Sequence, residues 1–207
     1  DTLMKADGVA VIFIGIAGAL SKMLVIKSGA IETTGTMMMI ISLSLGAILG
    51  EMLDLDGKMI HFGEWLKIKT GNAKDKKFVD GFVMASLTVC IGAMAVVGSI
   101  EDGIHANHSI LFAKAVLDFV IILVMSATLG KGCLFSFVPV GLFQGTITLL
   151  SSLISPFITA SAMSALSYVG SILIFCVGIN LVFNTKIRVA NLLPALIVAC
   201  ICTVFPL

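Results

Sequence analysis

The residues of this sequence that could do chemistry are a few ionisable and amide side chains inside long apolar stretches. Lys114 and Asp118 are four residues apart in the apolar run 109–129, so on a helix they lie on one face, one turn from each other. An ionisable group inside a membrane segment is costly and is a functional candidate by default. The pair could bind a solute or an ion beside a central cavity. The alternative is an ion pair that fixes this helix against its neighbours.

A second candidate is Gln144, which follows Pro139 and lies between Gly141 and Gly145, with Thr146 after them. A proline inside a helix removes a hydrogen bond and can break or kink it. An interrupted helix that carries an amide and hydroxyl groups is typical of a binding site at the membrane midplane. The alternative is that Gln144 forms hydrogen bonds between helices.

Two further amides, Asn180 and Asn191, lie in the middle of apolar runs, and Glu51 closes an earlier run. Pro194 stands three residues after Asn191, and inside a helix it would free the carbonyl of Ala190. A cation or a polar substrate could use such a carbonyl, whereas the alternative is an ordinary kink. We place Glu51 near the cytoplasmic mouth of the same site.

The sequence offers no pattern that indicates catalysis. It contains no Ser/His/Asp, Cys/His, HExxH or phosphate-loop arrangement, so we expect neither an enzyme nor ATP use. The segment 101–108 has two acidic and two histidine side chains, which we interpret as a solvated turn. The five cysteines lie in or beside apolar runs without CxxC spacing, so we expect buried thiols and no disulfide, metal or cofactor.

The composition defines the class of protein that must position these residues. Of the 207 residues, 58% are apolar and 12% are charged, and the mean hydropathy is +1.14. Average soluble domains are about 45–50% apolar and about 25% charged. The sequence therefore predicts a polytopic α-helical membrane protein and excludes a soluble enzyme, a disordered chain and a disulfide scaffold. The net charge of +1 gives no basic face for nucleic acid, and continuous apolar runs exclude a transmembrane β-barrel.

Seven apolar segments are long enough to be spanning helices in an all-α bundle that forms one transmembrane domain over 1–207. They are 8–26, 35–53, 78–100, 109–129, 132–154, 161–183 and 187–206. The stretch 8–16 matches 171–179 at a constant offset, which is compatible with an inverted repeat of the kind found in secondary transporters. Such a repeat would require one more helix before Asp1, and so eight spans.

The lysines predict the orientation of the chain. The loop 54–77 carries six of them and is therefore expected to be cytoplasmic. Alternation of the spans then places the C-terminus outside, with the loop 27–34 and its Lys27 as one weak exception. Within the cytoplasmic loop, the segment 57–70 has apolar residues near helical spacing. It predicts an amphipathic helix in the membrane interface, anchored by Trp65.

Two GxxxG motifs, Gly46 with Gly50 and Gly141 with Gly145, provide small faces that let helices approach closely. Either face could join two copies of the chain in a homo-oligomer. The alternative is that both faces pack within one subunit.

Six motifs in fixed order resemble a known bacterial inner-membrane family, domain of unknown function 554. They are SLGAILGEMLD (44–54), GSIEDG (98–103), SILFAKAVLD (109–118), SATLG (126–130), QGTITLL (144–150) and RVANLLPAL (188–196). The resemblance covers essentially the whole chain. It implies a transport protein of the inner membrane, and it implies one further hydrophobic helix before the segment that Asp1 opens.

These observations together predict a secondary transporter for a small polar solute or ion. Lys114, Asp118, Gln144, Asn180 and Asn191 would line a midplane site, and one inverted repeat would rock against the other to give alternating access. Two other classes stay open: a passive channel, and a non-transporting membrane subunit that binds a partner protein.

Overall fold

A computed structural model describes residues 2–27, 29–91 and 93–203, and this part of the chain is almost entirely helical. The predicted all-α fold class is therefore confirmed. The helices are α1 Thr2–Met23, α2 Thr36–Leu53, α3 Leu55–Lys69, α4 Phe78–Cys90, α5 Ala93–His105, α6 Ser109–Leu129, α7 Phe137–Leu149, α8 Ser151–Ile154, α9 Ala160–Phe183 and α10 Pro194–Cys202. Short 3₁₀ turns cover Lys131–Ser136, Ser155–Phe157 and Val189–Leu192.

Every predicted apolar segment contains helix. Among the described residues, five helices are long and apolar enough to cross a membrane: Lys5–Met23, Thr36–Leu53, Ser109–Leu129, Lys131–Leu149 and Ala160–Phe183. The segment 78–100 is a pair of helices bent by 62°, and the last segment holds the shorter apolar helix Val189–Cys202. The count of seven visible spans therefore stays a prediction for these two segments, as does the repeat.

The first predicted span differs from the structure at its end, because α1 stops at Met23 and the chain turns into a β-hairpin. Strands β1 Leu24–Lys27 and β2 Ala30–Thr33 pair antiparallel, with Ile26 opposite Ile31. β-Branched residues favour extended backbone over helix. Gly29 has a φ of +83°, a left-handed conformation that glycine adopts without strain and that makes the tight turn possible.

The first of two compact units comprises Asp1–Asp7 and Asp56–Pro156, and so contains α3 to α8. Its core includes Phe78 and Phe82, which are fully buried and contact Leu66 of α3. Helices α4 and α5 both lie along α6. A Cβ built at Gly81 would be 2.9 Å from the Leu129 carbonyl oxygen, and one at Gly98 would be 2.9 Å from Leu111.

Helix α3 lies where the sequence predicts an amphipathic helix over 57–70. Its Leu66 is buried in the core of the first unit, while Trp65 and Ile68 are 52% and 71% exposed. The Trp65 ring stacks on Phe62 at a centroid distance of 5.9 Å. An apolar exposed edge of this kind suits a membrane interface; the interfacial position itself stays a prediction.

The second unit comprises Gly8–Leu55 and Phe157–Leu207, and it is built from two antiparallel helix pairs. In the first pair, α1 packs on α9, where a Cβ at Gly15 would lie 2.6 Å from the Phe175 backbone nitrogen. In the second pair, α2 packs on α10, where a Cβ at Gly46 would lie 2.5 Å from the Ala195 Cα. Small residues thus set the close approach of both pairs.

Candidate functional site

Lys114 lies on a strip of α6 that faces its own unit. The residue is 6% exposed, and the next turns of the same strip bring Asp118, Met125 and Leu129 into partly or fully buried positions. The opposite face of the helix carries Phe112 at 69% and Phe119 at 68% exposure. Helical spacing therefore turns the two charged side chains inward and the aromatic ones outward.

The backbone beside Lys114 is interrupted. Helix α4 ends at Cys90 and α5 begins at Ala93, with their axes 62° apart. Carbonyls in the last turn of a helix have no partner within that helix, and they form the negative end of its dipole. The Lys114 Nζ donates a hydrogen bond of 2.9 Å to one of these carbonyls, that of Val89.

The same ammonium also donates to the Asp118 Oδ2, which gives an ion pair one helical turn apart. The side chains of Lys114 and Asp118 are 8% and 21% exposed. Two oxygen atoms from different helices, α4 and α6, thus hold one positive charge in a mostly buried position. The arrangement can bind a cation, or it can expose an ammonium and a carboxylate to a solute when the pair separates.

A sequence signal for this helix break is Gly92 in the middle of the apolar run 78–100. Gly92 itself lies outside the described residues. The Val89 carbonyl could not be found from sequence, because a backbone oxygen has no residue type of its own.

Gln144 lies on α7, the helix that packs against α4 and α5 of the same unit. Its amide nitrogen Nε2 is buried and has no hydrogen-bond partner among the residues that the structure describes. A buried donor without a partner costs about 1–3 kcal/mol, so this amide is available to a ligand. The neighbouring Gly141 and Gly145 have no described atom within 4 Å of a Cβ built on them.

Asn180 uses its whole amide to hold the loop that follows α9. Its Oδ1 accepts hydrogen bonds from the Thr185 hydroxyl at 2.7 Å and from the Ile187 backbone nitrogen at 3.0 Å. Its Nδ2 donates to the Ile187 carbonyl at 2.8 Å. Three bonds within the chain indicate a structural role in this conformation.

The expectation of a free carbonyl at Ala190 is wrong. Pro194 is the first residue of α10, preceded by the 3₁₀ turn Val189–Leu192, and it therefore removes no bond from a helix interior. The Ala190 carbonyl accepts a 3.2 Å hydrogen bond from the Leu193 nitrogen. Asn191 is 1% exposed, and a Cβ at Gly50 would lie 2.7 Å from its Cα.

Glu51 lies at the end of α2 and accepts a 3.2 Å hydrogen bond from Arg188 Nη1. Both side chains are more than half exposed, and exposed pairs of this kind contribute little to stability. The contact places Glu51 beside the turn that carries Asn191.

The structure thus divides the six predicted residues into two sets. The first unit holds Lys114, Asp118 and Gln144, and the second unit holds Glu51, Asn180 and Asn191. Within the first set, Lys114 and Asp118 are in direct contact. A single site lined by all six residues stays a prediction.

Sequence reasoning did not indicate one polar cavity of about 320 Å³ in the second unit. Its polar lining residues include Lys22, Thr34, Ser161, Ser164, Tyr168 and Thr203. They are scattered over both ends of the chain, with no motif to connect them. Across the described ranges, no three His, Cys, Asp or Glu side chains come together to hold a metal ion.

Helices long enough to cross a membrane, with a buried ion pair at a helix break, define a polytopic α-helical membrane protein. The chain belongs to the family described as Protein of unknown function (DUF554), whose profile matches residues 1–204. This agrees with the resemblance found in the sequence motifs.

Two curated relatives are similar to this chain over most of its length. The chain is 27% identical over 199 residues to the uncharacterized membrane protein YdfK of Bacillus subtilis (strain 168), covering 96% of this chain and 80% of that protein. It is 27% identical over 165 residues to the uncharacterized protein YqgA of Escherichia coli (strain K12), covering 78% of this chain and 70% of that protein. No solved structure matches the chain significantly.

Proposed function

We propose that this protein is a secondary transporter of a small polar solute or ion in the bacterial inner membrane, with the Lys114–Asp118 pair at the core of its site. The observation that carries the proposal is the mostly buried ammonium bonded to both Asp118 and the Val89 carbonyl at a helix break. Broken helices whose free ends line a polar site are a recurring part of transporters. A charge inside a membrane span is costly, and a binding role gives a reason to keep it.

The packing of the second unit supports the inverted repeat in this proposal. Helix α1 pairs antiparallel with α9, and α2 pairs antiparallel with α10 through contacts such as Gly46 with Ala195. The pair α1 and α2 therefore runs in the opposite direction to the pair α9 and α10, as an inverted repeat requires. The stretches 8–16 and 171–179, which match in sequence, lie on α1 and α9. Rocking of one repeat against the other would give alternating access.

Association of two copies also belongs to the proposal, and the described contacts favour one of the two GxxxG faces. Gly46 packs on α10 of the same chain, and Gly50 packs on the 3₁₀ turn just before it. Gly141 and Gly145 have open space in front of them among the described residues, so α7 is the helix that we assign to a homo-oligomer.

The test is flux through purified protein in liposomes, screened by solid-supported membrane electrophysiology over inorganic ions, amino acids and carboxylates. Once a flux is identified, we expect Asp118→Asn and Gln144→Ala to lower it roughly tenfold or more, since the first removes the charge that pairs with Lys114 and the second removes a buried amide. A matched control is Glu101→Gln, which breaks an exposed pair with His105 of the same four-residue spacing.

An unchanged flux in both site variants would show that the proposed site is wrong. Single-channel conductance in planar bilayers would indicate a passive channel instead of a transporter. A stoichiometric partner that copurifies with an inactive chain would identify a membrane subunit instead.

A further inference from the structure

The oxygen atoms that hold the Lys114 ammonium form a ligand set that a free cation could use in its place. The Val89 carbonyl oxygen lies 2.9 Å from Nζ, and the Asp118 carboxylate accepts from the same nitrogen. Backbone carbonyls and carboxylates are the ligands that hard cations prefer, and carbonyls replace hydration water around alkali ions in membrane proteins. Because the two oxygens belong to α4 and α6, regular helices position them.

The charge of this ligand set selects a monovalent ion. The carbonyl is neutral and the carboxylate contributes one negative charge, which the ammonium now balances. An uncompensated charge in a poorly solvated site is costly. A monovalent cation neutralises the carboxylate, whereas a divalent cation would leave the site with an excess of one positive charge.

We propose that the Val89 carbonyl and the Asp118 carboxylate form a site for a monovalent alkali cation, which the tethered ammonium of Lys114 occupies when the ion is absent. The displaced ammonium keeps its charge, so it must move to where water can solvate it, and the flexible four-carbon stem of a lysine allows this while the helix backbone stays in place. Asp118 then has a positive partner in both states. The place of this ion in a transport cycle rests on the proposed function, whereas its binding does not.

The experiment uses the full chain purified in detergent. Its unfolding temperature is measured in sodium chloride, potassium chloride and N-methyl-D-glucamine chloride at equal concentration. In Lys114→Gln the site has lost its tethered cation, so we expect saturating sodium or potassium to raise the unfolding temperature by about 5 °C or more. The wild type shows a smaller rise, because its ammonium competes with the ion.

Two further variants locate the effect. The double variant Lys114→Gln/Asp118→Asn lacks the carboxylate and should show no difference between the salts. Glu101→Gln removes an exposed carboxylate elsewhere in the first unit and should respond to the salts like the wild type. Should Lys114→Gln fail to fold, binding of radioactive sodium to the wild type is compared with binding to Asp118→Asn, and it is expected only in the wild type.

Equal unfolding temperatures of Lys114→Gln in all three salts would overturn the proposal. An equal rise in the double variant would also overturn it, because the ion would then bind elsewhere. A flux that depends on Asp118 without any cation binding would remove this inference and leave the transporter standing. Cation binding at Asp118 in a protein that shows no transport would support this inference and remove the proposed transporter function.

Discussion

Asn180 illustrates how a polar residue inside an apolar span can serve structure. Sequence reasoning selects it because an amide in the middle of a membrane segment needs an explanation. The explanation in the structure is the loop 184–188, whose Thr185 hydroxyl and Ile187 backbone groups all bond to this side chain. The amide therefore pairs with three polar groups of that loop and ties the loop to the end of α9.

At the residue scale we expect Asn180→Asp to destabilise the protein. The aspartate keeps an acceptor for Thr185 and the Ile187 nitrogen, but it replaces the Nδ2 donor by an oxygen that faces the Ile187 carbonyl. Loss of this buried bond should cost about 1–3 kcal/mol, which lowers the unfolding temperature by roughly 2–10 °C.

Asn184→Asp is the matched control for this prediction. Asn184 is exposed in the same loop, with a φ of +52° that aspartate also tolerates. Its change should stay within about 0.5 kcal/mol. Equal unfolding temperatures of the two variants by differential scanning fluorimetry would contradict the assigned role of Asn180.

Spacing rules find pairs of side chains but not their backbone partners. The four-residue spacing of Lys114 and Asp118 predicts their contact, and the structure has it. The third member, the Val89 carbonyl, depends on where α4 ends, and although Gly92 signals a break, it does not indicate which carbonyl the break leaves free. The opposite error arises at Pro194, where a proline predicts a broken helix but begins one instead. A proline thus indicates a helix boundary, but it does not indicate whether the helix ends before the proline or begins at it.

At the scale of elements, two identical motifs have different surroundings. Gly46 with Gly50 and Gly141 with Gly145 share the GxxxG spacing. The first pair lies against the backbone of Ala195 and Asn191, while the second has no described atom near it. The motif therefore predicts that a helix can be approached closely, and it does not predict by which partner.

We expect alanine to separate these two motifs. A Cβ at Gly46 would lie 2.5 Å from the Ala195 Cα, and one at Gly50 would lie 2.7 Å from the Asn191 Cα. Real contacts of that length do not occur, so α2 and α10 must move apart. Overpacking of this kind costs about 1–3 kcal/mol for each substitution.

Gly141→Ala and Gly145→Ala provide the comparison on α7. Because alanine meets no clash within one chain, it should leave the stability of the monomer unchanged or raise it by up to about 1 kcal/mol, since it favours helix over glycine. The measurement is the unfolding temperature of the four single variants in one detergent. Four equal values would show that the close packing of α2 on α10 is not a determinant of stability.

At the scale of the whole molecule, hydropathy predicts where the apolar segments lie, but not which of them pack together. The first unit takes its helices from the middle of the chain, and the second joins residues 8–55 with 157–207. A list of apolar runs gives no information on which runs pack together, because lipid-facing helices look alike in composition. The exception is the match between 8–16 and 171–179, whose helices α1 and α9 do pack on each other through Gly15 and Phe175.

The orientation of the chain can be tested at two exposed positions of the first unit. Lys74 belongs to the loop 54–77 with its six lysines, and Asn107 lies in the short segment between α5 and α6. Positive loops remain on the cytoplasmic side because lysine and arginine are retained there. An impermeant maleimide should therefore label Asn107→Cys in intact cells and Lys74→Cys only after the membrane is opened.

The wild-type chain gives the background from its five native cysteines, which lie in or beside helices rather than in these loops. Alkaline phosphatase fused after Leu207 should be active, since the alternation of spans places that end outside. Labelling of Lys74→Cys in intact cells together with an inactive fusion would reverse the orientation. A reversed Lys74 with an active fusion would instead show that the bent pair Phe78–Cys90 and Met94–His105, or the short Val189–Cys202, does not cross the membrane. Asn107→Cys separates these two cases, because labelling of Lys74 and Asn107 on the same side would identify the bent pair, and labelling on opposite sides would identify Val189–Cys202.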